Sequence, residues 1–214
     1  MGRSGTSPLS AAIKRDGRNK KESKMTNNSL AGRKIAILVA SGFEEVQMTD
    51  PQKTLIAAGA QTKVISRENG LVNGWHEDSW GHFFPIDADL SQTLAIDFDA
   101  LLIPGGARSI AKLSEDPHAK RIVKAFLKGN QPVAAIGDAT SLLATADEFA
   151  GRTVTGSEQS KATVDAKGGV WSDEPIVVDG MLITAQGSQQ LADVLARLQD
   201  IVTEYAETLT DQAA

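Results

Sequence analysis

The chain has 214 residues, of which 41% are hydrophobic and 23% charged, with a net charge of −5. These values are typical of globular proteins, and no apolar run approaches the ~18 residues of a membrane span, so we expect no membrane partner. Cysteine is absent. Its absence excludes disulfides, thiolate metal sites and cysteine nucleophiles, and it is compatible with a reducing, cytoplasmic location.

Residues 1–32 are basic, whereas the rest of the chain is acidic. This segment has a charge of +5, which leaves −10 for residues 33–214. The acidic majority carries no basic nucleic-acid footprint, so we expect no nucleic-acid partner. The segment has no periodic apolar face, which predicts a disordered tail, and it lacks the apolar stretch of a secretory signal. Three origins stay open: residues added upstream of Met25 by a vector or a mis-set start, a natural solvated tail, or a basic arm for nucleic acid or organelle targeting.

The first elements follow from residue 33, where we place the start of a single domain that extends to residue 208. The apolar run Lys34–Ala40 ends at a Ser-Gly pair, which is typical of a strand buried on both faces. A helix is expected next, with Asp50 as its N-cap, Pro51 in its first turn and Gly59 at its end. Residues 62–66 form the second predicted strand.

The second half of the domain continues the alternation. We predict strands at residues 99–103, 132–136, 170–178 and 181–185, of which the last two flank the hairpin signal Asp179-Gly180. A helix is expected between the Ser114–Pro117 start signal and Gly129, and an apolar stripe at residues 191–202 predicts a last helix. Residues 209–214 are assigned to a C-terminal tail. Strands separated by helices predict an α/β sandwich with a mostly parallel central sheet covered on both sides.

Three strand ends carry the residues of chemical interest. They are Ser41–Glu45, Pro104–Gly106 and Gly137–Thr140. Ligands of such sheets bind beyond the carboxyl ends of the strands, so we expect carboxylates and free backbone N–H groups to surround one crevice there. The third end also begins a helix, whose N-terminus favours an anion.

The order of three motifs resembles the ThiJ/PfpI superfamily. These motifs are Gly-Phe-Glu-Glu at residues 42–45, Asp-Ala-Leu-Leu-Ile-Pro-Gly-Gly at 99–106, and Pro-Val-Ala-Ala-Ile followed by a sharp turn at 132–137. The aromatic segment from Gly74 to Asp87 resembles PfpI-type members. The resemblance covers residues 33–202 and implies a flavodoxin-like, class I glutamine amidotransferase-like three-layer fold. It also implies intracellular protease, amidase or glyoxalase-like chemistry, or a role in stress response.

The turn after residue 136 departs from that family. Members usually carry Cys-His-Gly there, whereas this chain has Gly137-Asp138-Ala139. Glycine tolerates the strained backbone of a nucleophile elbow, so the turn can persist without its chemistry. A similar Gly-Asp-Ala turn occurs in the C-terminal domain of large-subunit catalases, which resembles this fold and is regarded as non-catalytic. The family's arginine-containing segment near the last strand is also unmatched, because this chain has Thr-Ala-Gln-Gly at residues 184–187.

Two carboxylates and four small residues are the candidate site. Glu44 matches the acidic residue beside the family's cysteine; either it stabilises the turn, or it is a general acid/base or ligand contact with a raised pKa. Asp138 either caps the following helix or pairs with Glu44 across the crevice. The remaining ligand-binding candidates are Gly105, Gly106, Gly137 and Ala139, where backbone N–H groups of the family help to form an oxyanion hole.

No metal or cofactor is predicted. His76, Glu77, Asp78 and His82 lie close in sequence, but their spacing matches no zinc signature, so a polar surface hairpin is the simpler interpretation. The serines at 109, 141 and 157 lack a Gly-x-Ser-x-Gly context, which argues against a serine nucleophile.

Two classes of function stay open. The first is a non-catalytic module that binds a small molecule or partner at the former active site, and the second is a hydrolase, lyase or hydratase that uses Glu44 and Asp138. The missing cysteine and histidine favour the first class. The aromatic residues Trp75, Trp80, Phe83 and Phe84 predict an apolar interface, so we expect a homodimer or larger homo-oligomer.

Overall fold

A computed structural model describes residues 29–212. Its twelve strands are β1 (Lys34–Leu38), β2 (Phe43–Glu44), β3 (Gln61–Ser66), β4 (Leu71–His76), β5 (Ser79–Pro85), β6 (Ala88–Asp89), β7 (Ala100–Ile103), β8 (Val133–Ile136), β9 (Thr153–Val154), β10 (Val170–Trp171), β11 (Ile176–Asp179) and β12 (Leu182–Ala185). Its six α-helices are α1 (Glu45–Ala57), α2 (Ala107–Glu115), α3 (Pro117–Lys128), α4 (Ala139–Leu143), α5 (Glu158–Ala166) and α6 (Leu191–Gln212).

The central sheet has seven strands in the order β11-β12-β8-β7-β1-β3-β6. All neighbours pair in parallel except β11 and β12. The middle strands β1, β7 and β8 are nearly continuous runs of buried apolar residues, because helices cover both of their faces. Helices α1 and α6 pack on one face, and α2, α3, α4 and α5 pack on the other. The predicted three-layer α/β sandwich with a mostly parallel sheet is therefore confirmed.

The first helix begins earlier than predicted. It starts at Glu45, not after Asp50, and Pro51 lies in its interior. Proline at this depth costs one helical hydrogen bond. Burial of Glu45, Gln47 and Met48 against the body of the protein keeps the preceding turns helical despite that cost. The predicted end is correct, since the helix stops at Ala57 and Gly59 takes a positive φ of 92°.

The predicted hairpin near Asp179 is present, but its strands differ from the expectation. Asp179 pairs with Leu182, so the loop is Gly180-Met181. The Asp179 carboxylate accepts a hydrogen bond from the backbone N–H of Thr153 at 2.8 Å, which holds this residue within β11. The predicted strand 170–178 is divided, because Val170 and Trp171 pair with β9 in a separate two-stranded sheet.

The described structure extends beyond the predicted domain limits, residues 33 and 208, at both ends. Residues 1–28, which hold most of the predicted disordered tail, lie outside the described residues. Leu30 falls within that predicted tail but is fully buried, and its N–H donates to the carbonyl of Ala58 at 2.9 Å. At the other end α6 continues to Gln212, so the C-terminal tail predicted from residue 209 is largely helix.

A second, three-stranded sheet lies beside the first. In it β2 pairs in parallel with β4, and β4 pairs in antiparallel fashion with β5. The β4–β5 hairpin carries the aromatic residues that the sequence singled out. Because β2 immediately follows the end of β1, this sheet brings the hairpin to the carboxyl edge of the central strands.

Candidate functional site

The three predicted strand ends meet at one edge of the central sheet. A Cβ at Gly106 would lie 2.5 Å from the carbonyl oxygen of Gly42 and 2.9 Å from the backbone nitrogen of Glu44. A Cβ at Gly105 would lie 2.7 Å from the carbonyl oxygen of Ile136 and 3.3 Å from the nitrogen of Asp138. These separations are shorter than, or at the limit of, ordinary contacts, so glycine at both positions allows the three backbone turns to touch.

One of the expected backbone donors is already occupied. The Gly105 N–H donates to the side-chain oxygen of Gln47 at 2.7 Å, and the Gln47 amide nitrogen donates to the hydroxyl of Ser188 at 3.0 Å. Gln47 is only 5% exposed. The prediction that Gly105 offers a free N–H to a ligand is therefore wrong, because the buried amide of Gln47 satisfies this donor.

The turn at Gly137 keeps the backbone of an elbow. Its φ is +60°, and the nearest heavy atom to a Cβ built there is the carbonyl oxygen of Gln186 at 3.5 Å. A β-carbon therefore fits at this position without a clash, although it would be strained at this φ. Ala139 is fully buried, backbone included, so the structure exposes no part of it to a ligand.

The Asp138 side chain does not cap α4 as one interpretation expected. Its carboxylate instead accepts a hydrogen bond from the hydroxyl of Ser157 at 2.5 Å. A row of hydroxyls continues from there, with Ser157 3.1 Å from Ser160 and Ser160 accepting from Ser141 at 2.9 Å. This network fixes the half-buried Asp138 carboxylate at the crevice.

Glu44 lies beside Asp138 and is also half-buried. Burial raises the pKa of Glu44 above its ordinary value, and the nearby charge of Asp138 raises it further, whereas His76 acts in the opposite direction. Of the six candidate residues, only Glu44 and Asp138 present partly exposed polar side chains, since the three glycines and Ala139 are buried. The site is thus a pair of carboxyl groups above a glycine floor.

The β4–β5 hairpin and the start of α2 form one wall beside Glu44. Trp75 is the register partner of Glu44, and the guanidinium carbon of Arg108 lies 3.8 Å from the centre of the Trp75 ring. Trp75 also packs edge-on against Trp80, with ring centres 5.5 Å apart. Arg108 makes no ion pair with any residue from 29 to 212. This wall therefore presents a cation held flat on an aromatic ring.

The neighbouring Glu45 fastens the hairpin to α1. Its carboxylate accepts from the backbone N–H of His82 at 2.9 Å and lies 2.6 Å from the His82 Nδ1. A Cβ at Gly81 would come within 2.0 Å of this carboxylate and one at Gly74 within 2.8 Å, so the two glycines leave the space that it fills. Burial acts to raise the pKa of Glu45, but hydrogen bonds and charge from His82 outweigh it and lower this pKa below its ordinary value.

The adjacent glutamates are expected to respond oppositely to substitution. Glu44 with its raised pKa destabilises the fold increasingly as pH rises from 4.5, so Glu44→Gln should stabilise the protein at pH 7. Glu45 with its lowered pKa contributes stability above pH 4.5 that is lost in acid, so Glu45→Gln should cost about 1–3 kcal/mol at pH 7. Urea unfolding at pH 7 and pH 3 measures both effects, and each should shrink at pH 3. Effects of the same sign at pH 7 would contradict this assignment.

No group of three or more His, Asp or Glu side chains within residues 29–212 has the arrangement of a metal site. The predicted polar hairpin cluster is separated in the structure, because His82 contacts Glu45 whereas Glu77 occupies the hairpin turn with a positive φ of 51°. None of the helices in the same range is long and apolar enough to cross a membrane.

Sequence reasoning missed Gln47 as a residue that shapes the site, and it considered Ser157 only as a nucleophile. Gln47 follows the predicted glutamates at a point where we expected a loop, and its burial becomes visible only once α1 starts at Glu45. Ser157 precedes α5 in the position of an N-cap, but its side chain makes no cap bond and turns to Asp138 instead.

The chain belongs to the DJ-1/PfpI family, whose model matches residues 33–199. This finding confirms the predicted membership, and the absence of cysteine makes the chain a divergent member. Gly137 occupies the turn where the resemblance places the nucleophile. The family match, the sheet order and the elbow together identify the class of protein.

Named relatives support the same assignment. A provisionally named cysteine protease of Bacillus subtilis, YraA, is 34% identical over 74% of this chain and 92% of its own length. An uncharacterized protein of Staphylococcus epidermidis is 31% identical over 75% of the chain and 92% of its own length. A two-domain protein of Anabaena variabilis with DJ-1/ThiJ/PfpI-like and ferritin-like domains has a TM-score of 0.74 and 26% identity over 79% of the chain. The chain spans about half, 48%, of that larger protein.

Proposed function

We propose that this protein is a non-catalytic DJ-1/PfpI member that binds a small carboxylate- or carbonyl-containing ligand between Glu44 and Asp138. The main observation behind this proposal is the backbone turn at Gly137, which has a φ of +60° but no nucleophilic side chain. The next residue, Asp138, accepts a hydrogen bond from Ser157. Acyl transfer in a family of this kind needs a nucleophile and a group that activates it. The relative named as a cysteine protease depends on a residue type that this chain lacks entirely.

The chemistry of the ligand follows from the groups around the crevice. A carboxyl group whose pKa is raised by burial and by a neighbouring carboxylate binds a proton at a higher pH than an ordinary one, and in its protonated form it donates a hydrogen bond to an oxygen atom. Arg108, stacked on Trp75, supplies a positive charge on the same side. A proton donor and a guanidinium together favour a ligand with a carboxylate or a polarised carbonyl oxygen.

A binding assay with matched probes tests this proposal. Acetate and pyruvate serve as carboxylate probes, and acetamide serves as the uncharged control of similar shape. Amide shifts in NMR titrations are expected at residues 43–44, 106–108 and 137–138 with the carboxylates and to a smaller extent with acetamide. Arg108→Gln should weaken the carboxylate response about tenfold and leave the acetamide response nearly unchanged. Equal carboxylate responses in the unchanged protein and in Arg108→Gln, or no amide shifts at these residues, would refute the ligand assignment.

Carboxylate catalysis is the second candidate, because two carboxyl groups with different environments can divide the roles of acid and base. Turnover on amide, peptide and methylglyoxal substrates distinguishes the two functions. We expect no turnover in the protein or in its Glu44→Ala and Asp138→Ala variants. Activity that disappears in either variant would establish catalysis and overturn the non-catalytic proposal.

Gly137→Cys is expected to fold but to remain inactive. The left-handed φ at this position should cost about 1–2 kcal/mol of stability, and a Cβ there meets no atom closer than 3.5 Å. No turnover should appear, since Asp138 stands where the family has an imidazole. Gly137→Ala is the matched control with the same backbone strain and no thiol. Turnover by the cysteine variant above that of the alanine variant would show that the thiol alone restores chemistry.

Self-association is a further part of the proposed function. Trp80 and Phe83 are 53% and 66% exposed on the β4–β5 hairpin, although Phe84 packs against Phe43 and Trp75 lies half-buried beneath Arg108. Exposed aromatic side chains on one hairpin support an interface there. Light scattering should give a mass above the 22.6 kDa of one chain, and Trp80→Ser/Phe83→Ser should lower it. A monomer mass at micromolar concentration would contradict the proposal.

A further inference from the structure

A groove lies at the outer edge of the central sheet, far along the strand order from Glu44. It has a volume of about 570 Å³ and runs between β11 and α6. Within residues 29–212, no strand is hydrogen-bonded to the outer edge of β11. An open edge of this kind attracts another extended segment unless something covers it.

The groove combines an apolar floor with an acidic rim. Ile176, Val178 and Ala196 supply apolar surface, and Val178 is 46% exposed. The rim carries Glu174, Asp193 and Asp200 against the one cation Arg197. None of these three carboxylates forms an ion pair with a residue in the described range. The surface therefore fits an extended, basic peptide segment.

The chain itself supplies such a segment. Residues 1–28 precede the described part, and between positions 18 and 24 they carry four cations and a single carboxylate: Arg18, Lys20, Lys21, Lys24 and Glu22. The described chain begins on the side of α6 that faces the end of α1, since the Ser29 hydroxyl donates to the side chain of Gln199 at 3.4 Å and the Leu30 N–H donates to the carbonyl of Ala58. Asp200 on the rim lies about 100° further around α6 than Gln199, so a segment that leaves Ser29 must pass over the exposed face of this helix to reach the groove.

The distances allow this segment to reach the rim. Six residues of helix separate Gln199 from Asp193, which is about 9 Å along the axis of α6. The five residues from Lys24 to Ser29 can span up to about 17 Å. The first cation before the described chain can therefore pass around α6 to Asp200, and the other three can continue toward Asp193 and β11.

Charge also discriminates between possible occupants. A second copy of this chain placed edge to edge on β11 would bring two acidic rims together, which costs free energy. A basic segment tethered a few residues away has a high effective concentration and opposite charge. We propose that residues 18–28 of the chain dock in cis along the groove between β11 and α6, with their cations on Glu174, Asp193 and Asp200.

Paramagnetic NMR on the full chain tests this docking. Because the protein has no cysteine, Ser23→Cys provides a single attachment point for a nitroxide. The amide signals of Val178 and Ala196 should lose most of their intensity at low salt. They should recover at 1 M salt, where the screening length falls from about 10 Å to about 3 Å.

Two charge variants and a mixing experiment complete the test. Asp193→Asn/Asp200→Asn should restore the signals at low salt. Glu158→Gln/Asp165→Asn makes the same charge change on α5, across the sheet, and should leave the broadening in place. Broadening that is equal in both double variants, or that is absent at low salt, would overturn the proposal. Broadening that appears only between a labelled chain and a separate isotope-labelled chain would assign the groove to a second copy instead.

Discussion

Replacing Gly106 by alanine is expected to lower the free energy of unfolding by about 3–5 kcal/mol, from backbone strain together with overpacking. Gly106 takes a φ of +112° and a ψ of 108°. A β-carbon there would also lie 2.5 Å from the Gly42 carbonyl oxygen and 2.9 Å from the Phe43 Cα. These are backbone atoms, so neither can move aside without separating the ends of β1 and β7.

Gly70→Ala is the matched control. Gly70 also has a positive φ, +76°, but a Cβ there meets no atom within 4 Å. Its cost should be limited to the left-handed backbone, about 1–2 kcal/mol. Urea unfolding followed by tryptophan fluorescence measures both variants. Equal losses would mean that the crowding of the strand ends at Gly106 contributes nothing beyond its backbone conformation.

The close backbone packing around Gly106 should also affect the proposed ligand site. Gly106 lies between the turn that carries Glu44 and the start of α2, the helix that carries Arg108. A displaced β7 end would move Glu44 and Arg108, two of the three groups that we propose to contact a ligand. Gly106→Ala should therefore weaken the carboxylate probes as well as the fold, whereas Gly70→Ala should leave the probes unaffected.

The central sheet could be predicted because each buried strand has a recognisable sequence pattern. Residues 34–38, 100–103 and 133–136 are continuous apolar runs followed by glycine or by a turn. Such runs fit only strands covered on both faces, and their alternation with helices leaves few topologies. The parallel order of these strands then brings the turns after them to one edge, which is why the location of the site followed from the sequence.

The hydrogen-bond partner of each polar group at that edge could not be predicted. The sequence contains the Gly105 N–H and the Gln47 amide, but only the start of α1 at Glu45 brings them within 2.7 Å. Likewise Asp138 has the sequence context of a helix cap, and its bond to Ser157 depends on a loop nineteen residues away. These contacts are tertiary, and local propensity carries no information about them.

The β4–β5 hairpin likewise could be predicted only in part from the sequence. Its four aromatic residues predicted an exposed apolar surface, but two of them are engaged within the chain. Phe84 contacts Phe43 with ring centres 5.7 Å apart, and Trp75 lies beneath Arg108. Alternation along a strand would place neighbouring residues on opposite faces, and Phe83 and Phe84 follow that rule. Which of the two faces turns inward depends on the pairing of β2 with β4.

Leu30→Ala is expected to destabilise the protein by about 2–5 kcal/mol, the cost of removing a large buried side chain. Leu30 is fully buried in the core beneath α1 and α6, and its N–H bonds to the Ala58 carbonyl oxygen. The family match begins at residue 33, so neither the family pattern nor the local composition marks this leucine as part of the fold.

Ser29→Ala is the appropriate comparison, because the adjacent serine is exposed and makes only the 3.4 Å bond to Gln199. Its effect should stay within about 0.5 kcal/mol, as for ordinary surface substitutions. Thermal and urea unfolding of both variants measures the difference. If Leu30→Ala proved as mild as Ser29→Ala, the turn at residues 29–32 would not belong to the cooperative core, and the point where residues 1–28 join it would not be fixed beside α6. A large loss at Leu30 alone would anchor that junction, from which the basic segment must start in order to reach the acidic groove.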